Sequence, residues 1–296
     1  MNKFGQALIS GRTLVTAQCL PPVGADTDAL QELARLLPST LDAVVVADNP
    51  DRIRSSALSA AVYLNKELKT SIVLSMTTRD RNRLALMSDA LGAAALDIAA
   101  VLCVSGKHQS LGVCEQAASA NDLDSIQFVQ ALMKMVLYGA GMNGKELVPE
   151  IKLQIGATAH PYLRPMGLNI LRLKKKVAVG ADFLLTQAVF DMKGFVEWLD
   201  AVRALGFDKR TGIIASVLPL PNVEKAQELQ RSLLYGPIPD DVIERVGKAA
   251  DPAHEGVAIA AKIARELKTM PGIRGINILC GGYESLAKDV IQQAKL

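Results

Sequence analysis

The chain has 296 residues, half of them hydrophobic and only 4% aromatic, with a formal net charge of +3. That length buries a large core and suits the ~250 residues of one α/β barrel, and the aliphatic bias favours a parallel sheet under helices over a β-sandwich. The charge is dispersed and its longest basic run, Lys174-Lys175-Lys176, has no aromatics interleaved, which argues against a nucleic-acid groove and for a solvated helix face or an anion contact.

Short apolar runs alternate with amphipathic stretches along the chain. The first predicted strand, 13–18, leads through Pro21-Pro22 to a helix that Asp26 or Thr27 can cap. The second, 43–47, ends in Asp48-Asn49-Pro50 before a helix over 51–68. The third, 71–76, ends in Thr77-Thr78-Arg79-Asp80-Arg81-Asn82, and the fourth, 100–104, in Ser105-Gly106-Lys107-His108-Gln109-Ser110. A polar connection to Asn121, a helix over 123–137 and a surface loop at 139–144 precede the fifth strand, 151–157, which ends in Thr158-Ala159-His160-Pro161. The basic helix around Lys174 leads to the sixth strand, within 180–191, which is entered through Gly180 and left through Thr186-Gln187. A helix over 194–205, a strand at 213–218 ahead of Asn222, helices over 238–246 and 252–267, a strand at 275–279 and a helix from Tyr283 follow.

Eight βα units, with no linker that marks a second domain, predict a single-domain (β/α)8 TIM barrel over 1–296. The alternative, an open doubly wound sheet, calls for G-x-G-x-x-G after the first strand, where the chain reads Cys19-Leu20-Pro21-Pro22. No apolar run reaches the ~20 residues of a membrane helix and no signal-peptide pattern opens the chain, so the expectation is a cytoplasmic protein. Cys19, Cys103, Cys114 and Cys280 lack CxxC spacing and read as reduced, buried thiols.

In a TIM barrel the site lies at the carboxyl ends of the strands. Those ends hold Gln18, Asp48, Asn49, residues 77–82, Lys107, His108, His160, Gln187, Asn222 and Gly281-Gly282. No His/Asp/Glu set has metal-ligand spacing, and no G-x-S-x-G elbow or Walker loop occurs. A set rich in amide, hydroxyl and imidazole suits a planar heterocycle such as a flavin or pterin. Asp48-Asn49 and residues 77–80 read equally as helix starts, and His108 and His160 as structural histidines. Gln187 is harder to explain without a ligand, because a long amide at the end of a buried strand costs desolvation unless paired.

Taken in order, these ends resemble the methylenetetrahydrofolate reductase family, a flavin-carrying TIM barrel. The matching marks are Pro21-Pro22, Asp48-Asn49, Arg79-Asp80-Arg81-Asn82, Val104-Ser105-Gly106 with His108-Gln109-Ser110, Ala159-His160-Pro161, and Leu173-Lys174-Lys175-Lys176. They continue through Gly180-Ala181-Asp182, Thr186-Gln187, Phe190-Asp191, Leu218-Pro219 and Glu255-Gly256. The 108–110 run and the helix start at Asp122 look closest to short bacterial and archaeal forms, some of which work with partner subunits. The resemblance implies hydride transfer from reduced FAD or FMN to 5,10-methylenetetrahydrofolate, with the folate as substrate. By that resemblance Gln187, Asn222 and Asp48 bind substrate. Asn49, Thr77, Lys107, His108, Ala159, Lys175 and Lys176 hold the flavin, the lysines facing its phosphates.

Three departures cluster on the same face. The family's acid catalyst falls at Gln18, an amide that hydrogen-bonds a pterin but gives up no proton. The family's flavin-tuning aspartate falls at Lys107, a cation that favours an anionic reduced flavin. The family's tyrosine after strand five is His160, and the acid after the proline is Tyr162. Two enzyme-related readings follow: a reductase whose proton comes from His160, His108 or water, or a flavin-free member that binds tetrahydrofolate for one-carbon transfer or as a partner subunit. A scaffold with a vestigial pocket is the third.

Overall fold

A strand covered on both faces needs apolar groups on both, and runs of Val, Ile, Leu and Ala supply them. In the computed structural model, which describes residues 1–108, 110 and 114–296, eight such runs close into a barrel in chain order. They are β1 (Leu14–Cys19), β2 (Ala43–Val46), β3 (Ser71–Thr77), β4 (Ala100–Val104), β5 (Gln154–Ala159), β6 (Phe183–Ala188), β7 (Gly212–Val217) and β8 (Ile273–Leu279). Every ladder is parallel and β8 pairs back with β1, Leu14 opposite Gly275. Ten helices wrap the strands: α2 (Thr27–Leu36), α3 (Ala57–Glu67), α4 (Arg83–Ala95), α5 (Ser125–Tyr138), α6 (Met166–Ala178), α7 (Met192–Ala204), α8 (Val223–Ser232), α9 (Asp240–Lys248), α10 (Pro252–Leu267) and α11 (Leu286–Ala294), counted among the described residues. The predicted barrel is the observed one.

A further helix, α1 (Lys3–Ile9), closes the amino-terminal end of the barrel. Phe4, Ala7 and Leu8 join Leu14, Val45, Phe183 and Ile214 in the inner core. The Phe4 and Phe183 rings meet edge to face at 5.2 Å. Gly156 makes room for that stack, since a Cβ there would lie 2.2 Å from the Phe183 ring. Above this floor a polar layer crosses the barrel. Thr16 donates to Asn277 (2.8 Å), Asn277 to Ser216 (3.2 Å) and Ser216 to the Thr186 carbonyl (2.7 Å). A buried polar chain of this kind is tolerated because each member is paired.

Several boundaries differ from the sequence expectation, each for a local reason. Helix α3 begins at Ala57 rather than 51, because Arg54 clamps Asp51 (2.7 and 2.8 Å) and its backbone N–H donates to the Asn49 side chain (2.8 Å). Ile151 and Leu153 are buried, but the β4–β5 ladder starts only at Gln154. Helices α1 and α8 had no counterpart in the predicted elements; in α8 only Ala226 and Leu229 are buried, too thin a stripe to read as a period. Of the cysteines, Cys19, Cys103 and Cys280 are buried, whereas Cys114 is exposed. Among the described residues no helix is long and apolar enough to cross a membrane.

Candidate functional site

At the carboxyl ends of the strands lies a cavity of about 570 Å³. Its inner end carries the Gln18 carboxamide oxygen and the Ser75 hydroxyl, both buried and without a hydrogen-bond partner. Such atoms are costly to leave unpaired, so a ligand group there relieves a desolvation penalty. Gln187 reaches the same cavity through an irregularity in β6, where the β6–β7 register shifts between Leu185 and Ala188. A bulge re-aims side chains, and this one is held by the Thr186 hydroxyl, which accepts from the Ser216 N–H (3.0 Å) and donates to the Gln187 carbonyl (2.7 Å).

On the β2–β3 side the charges are already paired. The Asp48 carboxylate accepts from the Thr77 N–H (2.8 Å) and from the Arg81 guanidinium (2.6 Å). Arg79 is clamped bidentately by Asp80 (2.7 and 2.6 Å), and Arg81 also reaches Asp89 (3.1 Å). Asn49 sits in the left-handed region (φ 43°) and uses its side chain on Arg54. Asp48 and Asn49 therefore line the cavity while serving the loop that they belong to.

On the β5–α6 side the positive charge is unneutralised. Lys176, 8% exposed, donates to the Thr158 carbonyl oxygen, and Arg172 lines the cavity with no hydrogen bond or ion pair among the described residues. Burial lowers the Lys176 pKa to about 8. His160 is bonded through Nε2 to the Thr158 hydroxyl (3.3 Å), and Gln187 is also a hydrogen-bond partner of its ring. Burial first, then the nearby Lys176 charge, lower its pKa to about 4, so the ring is neutral near pH 7. The buried Asn169 fixes the loop after β5 by donating to the His160 carbonyl (2.8 Å).

Lys107 spans the mouth. Its ammonium crosses from the β4 loop to the Ser232 carbonyl at the end of α8. The next residue, Leu233, turns the chain in the left-handed region (φ 51°), and the Tyr235 carbonyl accepts from the Ala188 N–H (2.8 Å). Residues 233–235 thereby lie against the end of β6 as part of the cavity wall. Gly236 (φ 103°) leaves space for Gln187, whose Cβ would lie 3.1 Å from a Cβ at that position.

Of the twelve residues to which the resemblance gives a catalytic or binding position, nine line this one cavity: Gln18, Asp48, Asn49, Thr77, Lys107, Ala159, His160, Lys176 and Gln187. Three do not. His108 is exposed and bonds Ser110, Lys175 is exposed on the outer face of α6, and the Asn222 side chain caps α8 by accepting from Lys225 (2.8 Å). Gln109, part of the matching 108–110 run, lies outside the described residues. Among the described residues no three His, Cys, Asp or Glu side chains converge on a metal-sized site. Ser75, Arg172 and Tyr235 also line the cavity and were missed. Ser75 was hidden inside an apolar run, Tyr235 in a segment with no strand end nearby, and Arg172 carried a signal, one turn before Lys176 on the basic helix.

Fold and site together define a TIM barrel with a polar, cation-lined ligand cavity at the usual end. A model of the methylenetetrahydrofolate reductase family matches residues 3–295, and the chain belongs to that family. Methylenetetrahydrofolate reductase 2 of Saccharomyces cerevisiae is 31% identical over 94 residues, covering 28% of this chain and 15% of the yeast protein. The 5,10-methylenetetrahydrofolate reductase of Salmonella typhimurium is 30% identical over 98 residues, covering 32% of each chain. The matches thus span 32% or less of these curated relatives' lengths. An uncharacterised protein from Clostridium thermocellum, solved binding two copies of 5-methyl-5,6,7,8-tetrahydrofolic acid, shares the fold over 100% of both chains, with TM-score 0.71 and 16% identity.

Proposed function

We propose that the chain binds a reduced folate in the cavity at the strand ends and takes part in chemistry of the methylenetetrahydrofolate reductase type, hydride transfer from reduced flavin to 5,10-methylenetetrahydrofolate. The observation that carries this reading is the pair of carboxamides: Gln187, aimed inward by the β6 bulge, and Gln18, whose buried oxygen has no partner. Carboxamides offer donor and acceptor together, which matches the mixed edge of a pterin. Family membership supports the reading, as does a fold neighbour that binds methyltetrahydrofolate. The whole chain, 1–296, acts here as one domain in the cytoplasm, either as a homo-oligomer or with a partner subunit.

The donor set also fits a flavin. Thr77 and Ala159 offer neutral contacts, and Arg172 and Lys176 are cations with no carboxylate partner that suit a phosphate. When bound, the flavin would supply the hydride. Gln18 then orients the pterin without acting as an acid, and a neutral His160 accepts or donates a hydrogen bond without carrying the proton.

One observation favours the flavin-free reading. The Lys107 ammonium ties the β4 loop to Ser232 across the mouth, narrowing the entry that a flavin and a folate would share. An absorbance spectrum after flavin supplementation, followed by calorimetric titration with tetrahydrofolate, separates the two. Yellow protein whose reduced flavin is reoxidised by 5,10-methylenetetrahydrofolate supports the reductase. Colourless protein that binds tetrahydrofolate supports the flavin-free binder. Absence of folate binding, or binding indifferent to Gln187→Ala, overturns both.

A further inference from the structure

Outer helix faces of this barrel carry charge: α7 exposes Lys193, Glu197 and Asp200, and α9 exposes Asp241, Glu244 and Lys248. One sector differs. In α3 no charged residue occurs from Ser56 to Asn65. In α4 the only one between Arg83 and Asp97 is Asp89, which Arg81 already pairs at 3.1 Å. The two helices pack side by side, and the Asn65 carboxamide donates to the Leu96 carbonyl (3.1 Å).

Helix α4 is apolar on both faces. Leu86, Ala90 and Ala93 are buried against the barrel, while Leu84 (75% exposed) and Leu91 (36%) face solvent, as does Leu96 (46%) just past its end. A helix that is hydrophobic all round belongs in an interior. Gly92 is an independent sign. It sits in the helix interior, where glycine costs stability relative to alanine, yet a Cβ there would meet nothing within 4 Å. Among the described residues nothing calls for its small size, whereas the close approach of a second backbone does.

The order of sizes names the occupant. Leu84, Ser88, Leu91 and Ala95 recur on one exposed stripe of α4. A two-fold axis midway between Ser88 and Leu91 lays α4 antiparallel on a copy of itself. Leu84 then lies against the partner's Ala95, Leu91 against the partner's Ser88, and Met87 against the partner's Gly92. Each large side chain meets a small one, as interdigitating layers require. The same operation brings Arg83, whose Nη1 is not used by Asp122, to the partner's Asp97, a carboxylate with no hydrogen bond or ion pair among the described residues. An uncharged face also presents no like charge for its copy to repel.

We propose that the α3–α4 face is the interface of a two-fold homodimer of this chain, with α4 packed antiparallel on its copy and Val62 and Tyr63 of α3 at the flank. Because α4 runs along the barrel, the two cavity mouths then open in opposite directions and neither is covered. The interface is independent of what the cavity binds.

Sedimentation velocity of the full chain over a dilution series tests it. A concentration-dependent dimer is expected, and Leu84→Glu and Gly92→Ala each weaken it by roughly tenfold. Gly92→Ala also raises the melting temperature of the dissociated chain, because alanine is the better helix former; a merely structural glycine does not give that combination. The exposure of Leu84 means that its replacement leaves the fold intact. Register is read by cross-linking in a Cys114→Ser background, which removes the exposed native thiol. Ser88→Cys links to its copy through a short bismaleimide, and Lys262→Cys on α10 does not. A monomer at every concentration overturns the proposal and leaves the face to an unlike partner. A dimer indifferent to both substitutions, or one that Ser88→Cys fails to link, overturns it as well.

Discussion

The Lys176 ammonium donates to the Thr158 carbonyl oxygen at 2.5 Å, joining the carboxyl end of β5 to α6. Burial lowers its pKa to about 8, with Cys103 and Asp124 opposing and the like charge of Arg172 reinforcing the shift. An anionic ligand beside it favours the charged form again. Binding near pH 8 therefore draws a proton from the buffer. Calorimetry in two buffers of different ionisation enthalpy detects this as unequal apparent binding enthalpies, and Lys176→Met abolishes the difference. Equal enthalpies in the parent protein would show that no anion lands there.

His160 titrates on the acid side of its ordinary range. Its folded pKa is about 4 against the ordinary histidine value of 6.5, mainly through burial. Between those values the unfolded chain binds more protons than the folded one, so stability is full above pH 6.5 and falls as pH drops towards 4. The loss is on the order of 3 kcal/mol. Urea unfolding at pH 7, 5.5 and 4.5 measures it, and His160→Gln flattens the profile over that window. A parent profile as flat as the variant's would mean that the imidazole is more solvated than its position indicates.

Gly236 combines a left-handed backbone with contact against Gln187. Gly236→Ala adds strain and pushes the carboxamide by a few tenths of an ångström. Misplacement on that scale is expected to weaken tetrahydrofolate binding by about tenfold, while costing about 1 kcal/mol of stability. Titration calorimetry beside thermal unfolding separates the two effects, and a variant that binds as the parent does would remove Gln187 from the ligand's contacts.

Gly156→Ala addresses the other end of the barrel. A methyl group there meets the Phe183 ring at 2.2 Å, and Phe4 already packs edge to face on that ring. Overpacking of this kind costs about 3 kcal/mol. The expected result is a lower urea midpoint with an unchanged m-value, and no change in ligand affinity once the protein is folded. A midpoint equal to the parent's would show that the floor repacks freely.

Much of this was legible from residue order alone. Eight apolar runs at βα spacing announced the barrel, and the polar residues just after them announced most of the cavity wall, because a barrel strand delivers its last residues to one end. What escaped was geometry set by distant partners. Asp48 read as a helix start or a substrate contact, and nothing in the order of residues showed that its carboxylate accepts from Arg81 and the Thr77 N–H. Asn222 stood at a strand end with the right chemistry but turns back to cap α8. Lys175 and Lys176 are adjacent in sequence and about 100° apart on a helix, so only Lys176 reaches the cavity. Several matching marks are architectural: the Asp182 carboxylate accepts from the Ile155 N–H (2.7 Å), and Gly256 clears the Leu220 carbonyl, which a Cβ would meet at 2.0 Å.

The seating of Phe4 on Phe183 has a practical side. With α1 stoppering one end, the cavity mouth and Met1 sit at opposite ends of the barrel. Met1 is 64% exposed at the stoppered pole. Tethering the protein to a sensor surface through its first residue therefore leaves the cavity mouth facing solution, and substitutions among the first nine residues register as a change in melting temperature rather than in affinity.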